Sequence, residues 1–170
     1  SITDKDIREK LVEAARAGVP VTLFVRGICC LVPGVPEATE GVRVVSIVGR
    51  LLEHSRIYGF GPRENMKMYL SSADLMTRNM EKRIEIAWPV LNRNLRAQIQ
   101  EYLDICMADT AKLRELLPNR TYTPLGFFAR EDGQGRAVRF DSQQHLIEEA
   151  QRRHQKAAER EAARDANRPH

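Results

Sequence analysis

Three short segments carry side chains suited to handling a polyanion. Val25-Arg26-Gly27 closes an apolar run, and Ser46-Ile47-Val48-Gly49-Arg50 is followed by Glu53-His54-Ser55-Arg56. Tyr69-Leu70-Ser71-Ser72-Ala73-Asp74 leads on to Arg78-Asn79. Arg26, Arg50 and Arg56 are permanent cations whose forked donors match phosphate oxygens. His54 can donate to a phosphate, shuttle a proton or attack phosphorus. Ser71 and Ser72 offer hydroxyl donors, and Asp74 can orient a histidine or an arginine. Together they describe a site for a phosphorylated ligand. Each also has an ordinary reading. A strand-end arginine is commonly a surface group or ion-pair partner, a single histidine is commonly structural, and SSAD can be a turn that caps a short helix.

These groups need elements to hold them, and the patterning supplies candidates. Thr3 to Ala17 reads as an amphipathic helix capped by Thr3 or Asp4, with Gly18 as its C-cap. Val19 to Val25 reads as a buried strand ending at Arg26-Gly27, and Val42 to Val48 as a second strand. Gly49-Arg50 opens a helix-like stretch, LLEHS. Arg56 to Phe60 and Met66 to Ser71 read as strands around a Gly-Pro-Arg-Glu-Asn turn. Lys82 to Val90 alternates, with Ile84, Ile86 and Trp88 on one face and Glu85 on the other. Asn92 or Asn94 caps a helix through about Met107, striped by Leu95, Ile99, Leu103 and Met107. Residues 111–140 read as short extended segments with polar turns, including Glu131-Asp132-Gly133-Gln134-Gly135. Asp141 caps a last helix that turns wholly polar after Ala150. The order implies one mixed α/β domain, and catalytic groups of open α/β sheets collect at strand ends.

The chain has 170 residues, 42% of them hydrophobic, 29% charged and 6% aromatic, which suits one core or two small ones. No apolar run approaches the ~20 residues of a spanning helix, and the charged start SITDKDIREK is unlike a secretory signal. The three cysteines do not suit a disulfide framework, and Cys106 lacks a metal-ligand neighbour. A reducing cytoplasm is the expected compartment. The net charge is +4, but residues 151–170 hold six basic groups against three acidic ones. The basic pI therefore mostly reports the tail and argues weakly for nucleic acid. Between Arg26 and Arg83, nine basic groups face six acidic ones, a local excess around the three segments.

VTLFVRGICCLVPGVPEATEGVRVVSIVGRLLEHSRIYGFG, with MYLSSADLMTRNMEKRIEIAWPV after it, closely resembles the long-chain polyphosphate kinase family. HxR followed by SSAD also looks like a relaxed phospholipase D signature, in which lysine and asparagine are usual. The resemblance covers at least Val19 to Val90. It implies the last, phospholipase D-like domain of an enzyme that reversibly moves the terminal phosphate of ATP onto inorganic polyphosphate. On that resemblance, 1–150 would be the domain and 151–170 a charged helical tail, with the mixed sheet flanked by helices. Arg26 and His54 would help bind the ATP phosphates, His54 as the catalytic group, with Arg50 and Arg56 supplying supporting charge. No residue here would ligate metal. Mg²⁺ would be held mainly by parts of the enzyme outside this chain, as would the phosphate-accepting histidine. The implied partners are ATP/ADP, polyphosphate, and the N-terminal, helical and preceding catalytic domains of the same enzyme, which would form a homo-oligomer. Many relatives carry arginine at the positions of Val32 and Val45, so the resemblance also implies fewer cations here. Two other readings remain open. One is a phospholipase D-type hydrolase with His54 as nucleophile, and the other a non-catalytic polyanion-binding or degenerate module.

Overall fold

The computed structural model describes residues 1–124 and 138–166. The expected Glu131–Gly135 turn lies outside them. Helix α1 (Lys5–Arg16) starts where Asp4 accepts the Ile7 amide at 3.1 Å, so Asp4 rather than Thr3 is its N-cap. After Gly18, at φ +81°, come strands β1 (Val21–Phe24) and β2 (Val42–Ile47), which pair in parallel. Strands β3 (Ile57–Phe60) and β4 (Lys67–Ser71) form an antiparallel pair. Helix α2 (Thr77–Glu81), strand β5 (Ala87–Pro89) and helix α3 (Arg93–Met107) follow. Strands β6 (Leu113–Leu116) and β7 (Tyr122–Pro124) precede the long helix α4 (Ser142–Ala166).

Among the described residues two sheets result, one in the order β1-β2-β6-β7 and one in the order β3-β4-β5. Strand β2 is the hinge of the packing, because a strand sends alternate side chains to opposite faces. Val42 and Val44 pack with Ile2, Val25, Leu31 and Leu116, backed by Leu11, Val12 and Ala15 of α1. Val45 and Ile47 pack on the other side with Cys106 and Leu113, backed by Tyr102 and Met107 of α3. Burying each such valine or isoleucine stabilises the fold by roughly 1.5–3 kcal/mol. Val45 is therefore a core residue at 0% exposure, and a cation there would be uncompensated.

Several expectations need correction. Strand β1 is an edge strand with alternating half-buried and exposed residues, not a buried one, because nothing among the described residues pairs its outer side. The LLEHS stretch has no helix. A single turn does not recover its nucleation cost, and side chains from elsewhere hold this segment instead. Only Ala87–Pro89 of the alternating 82–90 stretch is a strand, and its apolar face is open, with Ile84 99% and Ile86 61% exposed. Helix α3 takes Asn92 as its cap, bonded to the Asn94 and Leu95 amides. Asp141 accepts the Gln144 amide at 3.1 Å and caps α4, as expected. From residue 151 to 164, α4 is exposed on every side.

Candidate phosphate-binding site

The parallel pairing of β1 and β2 brings two of the predicted cations to one end of the sheet. Phe24 is level with Val45, and the Val25 amide donates to the Val45 carbonyl at 2.8 Å. Arg26 leaves β1 one residue later, and Arg50 leaves β2 three residues after Ile47. Both emerge at the carboxyl ends of the strands, where α/β sheets bind ligands. Both are exposed, and neither donates a hydrogen bond to any described residue. Unengaged guanidinium forks at a strand end have their donors available for phosphate.

Arg56, His54 and Asp74 come into direct contact. Arg56 Nη2 donates to Asp74 Oδ2 at 3.2 Å, and Asp74 Oδ1 faces the Ser1 amino group at 3.3 Å. Nη1 and Nη2 of Arg56 also lie 3.2 Å from Nδ1 and Nε2 of His54. A neutral imidazole has one acceptor nitrogen, so only one of these contacts is a hydrogen bond at a time. Partial burial raises the Asp74 pKa, but the bond from Arg56 opposes it and the net shift is downward. Tyr58 of β3 donates to the Ala73 carbonyl at 2.8 Å, which fixes the turn that presents Asp74.

Ser71 and Ser72 are not free donors, contrary to expectation. Ser71 Oγ donates to the Ile86 carbonyl and accepts the Ala73 amide. Ser72 Oγ donates to Glu85 and accepts the Ile86 amide. Glu85 also accepts from Asn79, and these two bonds lower its pKa. Nor does SSAD cap α2, whose N-cap is Met76 with no side-chain bond. These hydroxyls tie the 71–74 turn to the segment before β5.

The segment between Arg50 and His54 is held by residues that spacing and patterning did not single out. Gln143, 1% exposed in the first turn of α4, accepts the Leu51 amide at 3.0 Å. Its Nε2 donates to the Leu51 carbonyl and to Glu53 Oε1, both at 2.8 Å. Tyr102 of α3 donates to the other Glu53 oxygen at 2.7 Å. Burial first, and then this bond, push the Tyr102 phenol pKa well up, so it stays a donor. One residue before Gln143, Ser142 donates its amide and hydroxyl to Asp109 Oδ2 at 2.8 and 2.6 Å. Asp109 Oδ1 accepts the Ala111, Lys112 and Leu113 amides, so this carboxylate, 1% exposed, is fully satisfied. Burial raises its pKa, but these bonds outweigh burial and the net shift is downward.

Among the described residues, the carboxylates around these segments do not fit a resident magnesium ion. Among the described residues no three His, Cys, Asp or Glu side chains group to hold a metal. Asp74, Glu85 and Glu53 are already taken by Arg56, by Ser72 and Asn79, and by Gln143 and Tyr102. Two clefts, of about 380 and 420 Å³, lie beside α1 and between α3 and α4, and neither is lined by Arg26, Arg50, His54 or Arg56. Val32 lines the first of them, next to Arg8 and Arg16.

The mixed α/β fold, two sheets flanked by helices, is of the phospholipase D-like class. Residues 1–134 match the family model described as polyphosphate kinase C-terminal domain 2. The polyphosphate kinase of Bacillus cereus is 56% identical over 115 residues, covering 68% of this chain and 16% of that protein. That of Lactiplantibacillus plantarum is 44% identical over 151 residues, covering 89% of this chain and 20% of its own length. The crystal structure of polyphosphate kinase from Porphyromonas gingivalis superposes with a TM-score of 0.77 at 32% identity, over 91% of this chain and 23% of that one. The chain belongs to the polyphosphate kinase family, within its C-terminal domain. It spans about a sixth of the length of the first of these relatives. No helix of the described residues is long and apolar enough to cross a membrane.

Proposed function

We propose that this chain supplies nucleotide- and polyphosphate-binding residues to an ATP:polyphosphate phosphotransferase that reversibly moves the terminal phosphate of ATP onto inorganic polyphosphate. The observation that carries the reading is the pair of unengaged arginines, Arg26 and Arg50, at the carboxyl ends of β1 and β2. Arg26 and Arg50 bind phosphate oxygens, and Arg56, held by Asp74, orients His54 and adds charge. His54 donates to a phosphate oxygen as charge develops there. Catalysis of this kind is mostly positioning and charge neutralisation. Residues 1–150 make up the domain, and 151–170 follow it as a charged tail. The phosphate-accepting histidine and the magnesium ligands belong to other domains of the same enzyme, which works in the cytoplasm as a homo-oligomer.

A polypeptide joining this chain to those domains, given ATP labelled at its terminal phosphate, is expected to form acid-insoluble labelled polyphosphate. The chain alone is expected to bind ATP and tripolyphosphate without elongating anything. Elongation by the chain alone, or none by the longer polypeptide, overturns the reading.

A further inference from the structure

We propose that Gln143 is a positioning residue for the phosphate site, setting the backbone between Arg50 and His54 so that both side chains meet one anion. The inference rests on the functional reading above and adds to it a residue that contacts no ligand.

Residues 50–55 lie between β2 and β3 and make no backbone-to-backbone hydrogen bond with any described residue. Leu51 and Leu52 are 49% and 68% exposed, so apolar burial does little to fix them. Gln143 does what a strand partner would do, accepting from the Leu51 amide and donating to the Leu51 carbonyl. Its second amide proton goes to Glu53, whose other oxygen is held by Tyr102. The glutamine is itself held from several sides. It is buried, and the preceding residue is anchored by two bonds to buried Asp109. The backbone just after β2 also comes close, since a Cβ added at Gly49 would overlap Gln143 Oε1. A buried amide bonded at both ends transmits the position of α4 to the segment, because leaving any of its groups unpaired is costly. Arg50 precedes the clamped stretch and His54 follows it, so their separation is fixed without either touching Gln143.

The test uses the 170-residue chain and inorganic tripolyphosphate, with affinity read by calorimetry and amide exchange by NMR. Gln143→Ala is expected to speed exchange of the Leu51 amide while Val44 and Val45 in β2 stay protected. It is also expected to weaken tripolyphosphate binding about tenfold, comparable to losing one charge-assisted hydrogen bond. Tyr102→Phe, which removes only the hydroxyl bonded to Glu53, is expected to weaken binding by a smaller factor with the fold intact. It decides the matter if Gln143→Ala does not fold. Faster Leu51 exchange with unchanged affinity, or unchanged affinity in Tyr102→Phe when it is the only folded variant, overturns the positioning role and leaves the site reading standing. Wild-type chain that does not bind tripolyphosphate overturns the site reading, and the inference with it. Arg50→Ala separates the two further. It is expected to lose affinity with Leu51 exchange unchanged.

Discussion

Arg56 and Asp74 meet through a 3.2 Å hydrogen bond that joins the start of β3 to the turn after β4, and His54 lies against the same guanidinium. The pair is partly exposed, with 20% and 27% of the side chains accessible, so it stabilises the fold by at most about 1 kcal/mol. Its value lies in orientation. Arg56→Lys keeps the charge but loses the planar fork that serves Asp74 and His54 together. Tripolyphosphate affinity is expected to fall about three- to tenfold, equivalent to roughly 0.7–1.4 kcal/mol, with little change in melting temperature. Calorimetry beside a thermal melt checks both.

Arg26 and Arg160 make a controlled comparison, since both are exposed arginines. Arg26→Ala should remove a hydrogen bond between charged groups and weaken tripolyphosphate or ATP binding by roughly 1.5–3 kcal/mol. Arg160→Ala, on the solvated part of α4, should change binding by under about 0.5 kcal/mol. Neither should alter stability, because Arg26 has no hydrogen-bond partner among the described residues. Equal effects on binding would refute the assignment of Arg26.

His54 is expected to act as a donor and not as a phosphate-carrying nucleophile. Attack on phosphorus needs a free ring lone pair, and both ring nitrogens lie 3.2 Å from Arg56 nitrogens. Incubation of the longer enzyme with labelled ATP, followed by proteolysis and mass mapping, should place acid-labile phosphate outside residues 1–170. Stoichiometric phosphate on His54 would establish the hydrolase-like chemistry instead.

Asp109→Asn should destabilise the chain by roughly 2–4 kcal/mol, because an amide cannot accept at both oxygen positions in a buried network. The pH dependence follows from the lowered Asp109 pKa. A carboxyl depressed in the fold contributes stability that is complete above its ordinary value of 3.8 and lost as pH falls through the lower folded value. Urea melts between pH 6 and 2 should therefore show a loss of stability below about pH 4 that is smaller in the asparagine variant. An equal acid loss in both proteins would assign that loss to other carboxylates.

Gly49→Ala tests the packing of the segment after β2 against the start of α4 directly. The new methyl would overlap Gln143 Oε1 and lie 3.0 Å from Lys112 Cδ. Gln143 is tied by three bonds and cannot yield freely, so the expected cost is about 1–3 kcal/mol of overpacking. Thermal melts read this cost, and a melting temperature equal to wild type would show that the clamp is soft.

Local patterning was enough for the elements whose signals lie within one turn or one strand. The 3.6-residue stripe and the Asp4, Asn92 and Asp141 caps specify α1, α3 and the start of α4, and β-branched Val42–Ile47 specifies β2. The cations at strand ends were legible for the same reason, since Arg26 directly follows an apolar run and Arg50 follows another after Gly49. Tertiary structure decided everything that depends on who packs against whom. It divided the strands into two sheets, made β1 an edge, left Ile84 and Ile86 exposed, and put Val45 in the core. It also committed Ser71 and Ser72 to the segment before β5. Gln143 is the clearest case. In sequence it is one polar residue among polar neighbours at a helix start, and its partner Leu51 lies 92 residues away. A buried glutamine and a surface glutamine have the same chemistry, and only the approach of α4 to the end of β2 removes the water that would otherwise satisfy it.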